Sequence, residues 1–117
     1  MGVTSLGNIH ATRYTDVTAT ASAETILAGA ITIYAVSIDN RQNVVPVYLK
    51  LYAASPTVGT TNPYIVIKCP AATRSLRILS LPAGIAEAAL YLACVTAPGT
   101  GGTTSPTNPV KVNLWTN

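Results

Sequence analysis

Four carboxylates (Asp16, Glu24, Asp39 and Glu87) and one histidine, His10, are the only acid–base groups of this 117-residue chain that titrate below or near neutrality. A glycosidase needs two carboxylates facing each other across a cleft. These four are scattered. Asp39 falls in the run Asp39-Asn40-Arg41-Gln42-Asn43, where an aspartate ordinarily accepts hydrogen bonds from nearby backbone N–H groups and shapes a turn. Asp16 and Glu24 flank the first strand-like stretch and read as solvated residues. A nucleophilic triad needs a histidine base beside a Ser or Cys and an acid. His10 sits in an aperiodic N-terminal segment, a poor platform for preorganised chemistry, and no G-x-S-x-G elbow occurs. Gly99-Thr100-Gly101-Gly102 has the glycine content of a phosphate loop but lacks the following lysine and the strand-to-helix setting. The alternating acids of a calcium loop are missing. Cys69 and Cys94 form no C-x-x-C pair, and one histidine does not complete a zinc site with them. They read as buried free thiols, and a disulfide would require their strands to be neighbours. The expectation is a non-enzymatic protein with no catalytic, cofactor-binding or metal-binding residues and no cofactor.

The remaining chemistry lies in the aromatics. Tyr48-Leu49-Lys50-Leu51-Tyr52 places two tyrosines and a lysine on one side of a strand. Such a face suits solvent first, a protein interface second and base stacking third. Because Lys50 needs water, the Tyr48/Lys50/Tyr52 face is expected to be the outer one. Tyr91 offers a similar surface in a later strand. Trp115 suits either the core, which is favoured, or an anchor in a neighbouring subunit. Tyr48, Lys50, Tyr52, Tyr91 and Trp115 are therefore the candidate interface residues. Net charge is +3 and the isoelectric point about 9.1. The cations Arg13, Arg41, Lys50, Lys68, Arg74, Arg77 and Lys111 are spread along the chain, so no nucleic-acid partner is expected.

The elements that must position these residues are strands. Hydrophobic residues make up 49% of the chain and charged residues 9%, against about a quarter charged in an ordinary soluble domain. So little charge leaves part of the surface suited to cover by partners. Strand-like stretches run over Arg13–Thr20, Ala30–Ile38, Val45–Tyr52, Tyr64–Cys69, Thr73–Leu81, Leu90–Thr96 and Val110–Trp115. In the third, Val47, Leu49 and Leu51 share one face, the period-2 signature of a half-buried strand. In the fifth, Leu76 and Ile78 share a face and Arg77 takes the other. Pro70 ends the fourth, having no N–H for the ladder. The segment from Pro82 to Ala89 has helical composition but is too short to favour a helix. The Ala97–Pro109 stretch, rich in glycine, proline and threonine, is expected to be a mobile loop. Turns recur every eight to twelve residues or so, the pattern of an all-β sandwich or barrel. The expected fold is one antiparallel β-sandwich domain over residues 13–117, jelly-roll-like, with about seven or eight strands, preceded by an N-terminal arm over residues 1–12.

The order of several short motifs resembles small tailed-bacteriophage virion structural proteins, in particular capsid decoration (cement) proteins. The motifs are the strand Val47-Tyr48-Leu49-Lys50-Leu51-Tyr52, the turn Pro56-Thr57-Val58-Gly59-Thr60 with Pro63, and the turn Pro82-Ala83-Gly84-Ile85. An Ala/Thr-rich strand ending Val95-Thr96 and the closing strand Val110 to Trp115 follow. They span roughly the last three quarters of the chain. One departure is Glu87-Ala88-Ala89-Leu90, where a Gly-Leu pair is common in the family. The resemblance implies a β-sandwich, often a homotrimer, that binds the major capsid protein and stabilises the head shell by bridging subunits. The alternative it leaves is a tail or fibre module binding a receptor or carbohydrate through Tyr48, Tyr52 or Tyr91. No apolar run approaches the roughly 18–20 residues of a membrane span, and Met1-Gly2-Val3 lacks the basic start of a signal peptide. Leu6 stands where a myristoylation site needs Ser or Thr. The expected location is the virion surface, after synthesis in the host cytoplasm, with no membrane partner.

Overall fold

The computed structural model describes residues 12–79 and 84–117; residues 1–11 of the expected N-terminal arm, His10 among them, lie outside the described residues, and Thr12 opens the first strand. Nine strands and no helix occur among those described: β1 (Thr12–Asp16), β2 (Glu24–Leu27), β3 (Ile31–Asp39), β4 (Val47–Tyr52), β5 (Ile65–Cys69), β6 (Arg74–Ile78), β7 (Ile85–Glu87), β8 (Leu90–Val95) and β9 (Lys111–Thr116). They form two antiparallel sheets. Sheet A runs β1-β9-β3-β6, and sheet B runs β2-β8-β4-β5. β7 pairs with Ile31–Ile33 of β3, while β6 pairs with Ala35–Asp39 of the same strand.

With β7 set aside, the strands pair from the outside inward: β1 with β9, β2 with β8, β3 with β6, β4 with β5. The β3–β9 and β4–β8 ladders then complete the two sheets. That is the doubled-over winding of a jelly roll. The expected β-sandwich is therefore the fold, with nine strands in place of seven or eight. The two additions are β2, of four residues and largely exposed, and β7, of three. Both are too short to show a period-2 signature: β2 pairs with β8 and adds Ile26 to the core margin, and β7 pairs with β3. The Ala-rich segment after Pro82 supplies β7 rather than a helix.

The core lies between the sheets and includes Ile33, Val36 and Ile38 from β3, Leu114 from β9, Leu49 and Leu51 from β4, and Leu92 from β8. Each such aliphatic side chain contributes about 1.5–3 kcal/mol on burial. In β3 the inward residues are Ile31 and Ile33, then Val36 and Ile38. The parity changes because Ile33 pairs with Thr116 while Ala35 pairs with Trp115, leaving a β-bulge at Tyr34-Ala35. The bulge keeps both ends of a nine-residue strand aimed at one core.

In β6, Leu76 and Ile78 share one face and Arg77 takes the other, as expected, and the register fixes which face is which. Arg77 pairs with the buried Val36, and Leu76 and Ile78 pair with Ser37 and Ala35. Cross-strand partners share a face, so Arg77 lies on the inner side at the open sandwich edge and the two apolar residues face outward. Leu76 is 62% and Ile78 56% exposed.

Candidate functional site

The two outer faces of the sandwich differ. On sheet B the outward positions are Tyr48, Lys50 and Tyr52 of β4 and Tyr91, Ala93 and Val95 of β8. This face was expected to be wet. Instead Lys50 is 0% exposed, and Tyr52, Ala93 and Val95 are equally enclosed, while Tyr48 and Tyr91 are half-buried. The 97–109 segment, expected to be mobile, is packed down as a cover. The Lys50 ammonium donates to the carbonyls of Gly99, at 2.6 Å, and Gly102, at 3.2 Å. The Gly102 amide closes this turn on Gly99 O, and Thr96 N–H bonds Thr104 O. Thr100 Oγ1 to Asn62 Oδ1, at 2.7 Å, clasps the cover to the 53–64 loop. Gly59 lets the loops approach: its φ is +97°, and a Cβ there would lie 2.6 Å from Thr103 Cγ2. Burial pulls the Lys50 pKa below the ordinary lysine value. Lysine lacks a counterion here, and backbone carbonyls satisfy it instead. A partner would not reach Lys50 or Tyr52, so these two expected interface residues serve the interior of the chain.

The far end of the cover is fastened by asparagines that read in the sequence as a plain polar turn. Asn40 and Asn43 are both buried. Asn40 Nδ2 donates to the carbonyls of Val45 and Pro70. Asn43 Nδ2 donates to Asn40 Oδ1 and to Asn108 O, and Asn43 Oδ1 accepts from Asn108 N–H at 2.8 Å. Short side-chain amides can close backbone groups that have no ladder partner.

Among the described residues sheet A has no such cover. Trp115, favoured for the core, lies half-buried on the outer face, because its neighbours Leu114 and Thr116 are the buried residues of β9. It forms a groove of about 450 Å³ with Ser37, Asp39, Arg41, Arg74, Leu76, Lys111 and Asn113. Arg13 pairs with Trp115 across β1 and β9, Thr15 sits opposite Asn113, and Arg74 sits opposite Asp39. The charges that look scattered along the chain are therefore gathered by topology: Arg13, Arg41, Arg74 and Lys111 share this face. Asp39 is the one carboxylate among them. It accepts from Arg41 N–H, Nε and Nη2, at 3.1, 3.0 and 2.7 Å. The Arg41 guanidinium holds its carboxyl down at about 2. The turn-shaping role expected of Asp39 is what these bonds describe.

The other reactive groups do not converge with this face. Asp16 and Glu24 line a groove between β1 and β2 with Tyr14 and Ile26, and Asp16 Oδ1 accepts from Thr18 N–H at 3.0 Å. Among the described residues no three His, Cys, Asp or Glu side chains come together. Cys69 and Cys94 are free and buried. Their strands flank β4 on opposite sides, about 10 Å apart, beyond disulfide reach. Burial pushes the Cys94 thiol up to about 12, which leaves it inert. The five expected interface residues thus divide: four belong to covered sheet B, and only Trp115 to the open face. Sequence periodicity missed the open face because its residues come from four strands that are neighbours in the sheet but far apart in the sequence. No family model, curated protein or solved structure matches this chain.

Proposed function

We propose that this chain is a non-enzymatic virion structural protein: a capsid decoration protein that seats the outer face of sheet A on the head shell and bridges its subunits. The observation that carries the reading is the asymmetry of the sandwich. One outer face is closed by the chain's own loops, while the other leaves Leu76 and Ile78 largely exposed on the face that carries Trp115. An exposed apolar patch with a polar rim is suited to docking. The jelly-roll order is shared by capsid, lectin and cupin domains and so does not select among functions. The virion setting rests on the motif order from Val47 to Trp115. Weak contacts by each copy suffice, because many copies on one particle add avidity. The test is co-sedimentation with purified head shells, together with light scattering for oligomeric state. A trimer that pellets with shells is expected; a monomer that stays in the supernatant at every concentration sinks the reading.

A second reading, a tail or fibre module that binds carbohydrate, is favoured by one feature. Trp115 presents an aromatic surface beside Asn113, Ser37 and Asp39, whereas Tyr52 is enclosed. On this reading Trp115, rather than Tyr48, Tyr52 or Tyr91, stacks the sugar. A glycan array without a hit disposes of it.

A further inference from the structure

We infer that the outer face of sheet A docks an acidic protein surface, with Trp115, Leu76 and Ile78 as the apolar centre and Arg13, Arg74 and Lys111 as the charged rim. The inference rests on the docking reading above and adds the chemistry of the partner.

The argument is one of charge placement. The chain has seven cations and four carboxylates. Lys50 is consumed inside the fold by Gly99 and Gly102. Lys68 and Arg77 lie in the groove at the β5–β6 edge. The other four cations lie on the outer face of sheet A, where the only carboxylate is Asp39. This face therefore carries a formal charge of +3, the same as the whole chain. Asp16 and Glu24 lie between β1 and β2, and Glu87 is on β7. Arg41 is occupied by Asp39 in the single ion pair among the described residues. Residues 1–11 and 80–83 contain no Asp or Glu. Arg13, Arg74 and Lys111, all exposed, form no ion pair of their own among the described residues; Asp39 stands opposite both Arg74 and Lys111 in the ladders, and this one carboxylate leaves the face three positive charges in excess.

An excess of positive charge around an apolar centre matches the anatomy of a protein interface, in which Trp and Arg dominate the binding energy and charge sets register and on-rate. Nucleic acid fits less well. A strand-binding groove stacks successive bases on several aromatics, whereas this groove is lined by one aromatic side chain, Trp115, with Leu76 as its large aliphatic neighbour. The complementary surface is therefore an apolar patch ringed by Asp and Glu on a protein.

Trp115 is the only tryptophan, so its emission, excited at the red edge where tyrosine stays dark, reports on this face alone. The experiment titrates the protein with a random glutamate–tyrosine copolymer, with head shells, with oligo-dT and with heparin, at low and high salt. Emission should shift with copolymer and with shells. Arg74→Glu/Lys111→Glu should weaken both by about tenfold or more at low salt, with a smaller loss at high salt where the charges are screened. Thr60→Glu, at an exposed position in the loop that covers sheet B, should bind as the unmodified protein does. Positions 74 and 111 both stand opposite Asp39 in the ladders, so Arg74→Gln/Lys111→Gln, which sets no like charge across from it, should weaken binding in the same direction, and a urea melt of each variant checks folding. The inference is overturned if the double variant binds copolymer as tightly as the unmodified protein, or if oligo-dT or heparin binds more tightly than copolymer. If copolymer binds through this face and shells do not, the decoration reading falls while the acidic-partner inference stands.

Discussion

The two outer faces are built from the same kind of strand and end in opposite states. β4 and β8 alternate apolar and mixed residues, as β3 and β9 do, and each sheet turns one full row of aliphatics into the shared core. Yet the far side of sheet B is sealed down to a lysine, and the far side of sheet A shows solvent a tryptophan and two large aliphatics. The difference lies in the connections. The 53–64 and 97–109 loops are long enough to fold back over sheet B, and their glycines let the backbone approach. A strand's alternation therefore tells which residues oppose the core. It does not tell whether the opposite side is wet, because that depends on where distant loops come to rest.

The comparison can be broken most directly at Lys50. Lys50→Ala removes the donor for two carbonyls and leaves a gap under the cover, so a loss of about 3 kcal/mol is expected. Urea unfolding measures it, and limited proteolysis should now cut between residues 97 and 109. Unchanged stability with an uncut loop would mean that the ammonium does not hold the cover. Next in size is Asn43→Ala, which strands the Asn108 backbone at the end of the same cover. About 2 kcal/mol is expected from thermal or urea melts, and a loss below a few tenths would remove the asparagine corner from the account.

On the open side the effects should be small. Asp39 has a folded-state pKa of about 2 against an ordinary 3.8. A depressed carboxylate pKa stabilises the fold above the ordinary value, and that contribution is lost as the pH falls towards about 2. The Arg41 side chain is 59% exposed, so solvent screening keeps the contribution below about 1 kcal/mol. Melting temperatures of Asp39→Asn and the unmodified protein should differ slightly at neutral pH and converge near pH 2; a gap that widens on acidification contradicts the assignment. Smallest of all is Leu76→Ser with Ile78→Ser, expected within about 0.5 kcal/mol of the unmodified stability while lowering self-association or shell binding. A loss above about 1 kcal/mol would show that these side chains are packed in the free protein, and would undercut the docking face.

Much of the fold was legible. The runs around Ile31–Ile38, Val47–Leu51, Leu90–Val95 and Val110–Leu114 have the apolar spacing of strands that bury one face, and all four lie in the centres of the two sheets. β2 and β7 were not legible, since short edge segments are defined by a neighbour's hydrogen bonds. The buried state of Asn40 and Asn43 was hidden for a similar reason: their partners are Pro70 and Asn108, 30 and 65 residues away. The candidate site was legible only at Trp115. Arg13, Asp39, Arg74 and Lys111 carry no common motif and meet because β1, β3, β6 and β9 are neighbours in the wound sheet.

For the same reason Lys50, the residue first read as the most solvent-bound, is the one the fold encloses. Composition and alternation alone determined that the chain is all-β, built of short strands that bury one face, since this depends on local residue types and on the two-residue period of a strand. Tertiary structure decided which outer face is open, where the charge gathers and what becomes of a lysine. Those outcomes depend on contacts between residues far apart in the chain, and on loops whose resting place no local pattern records.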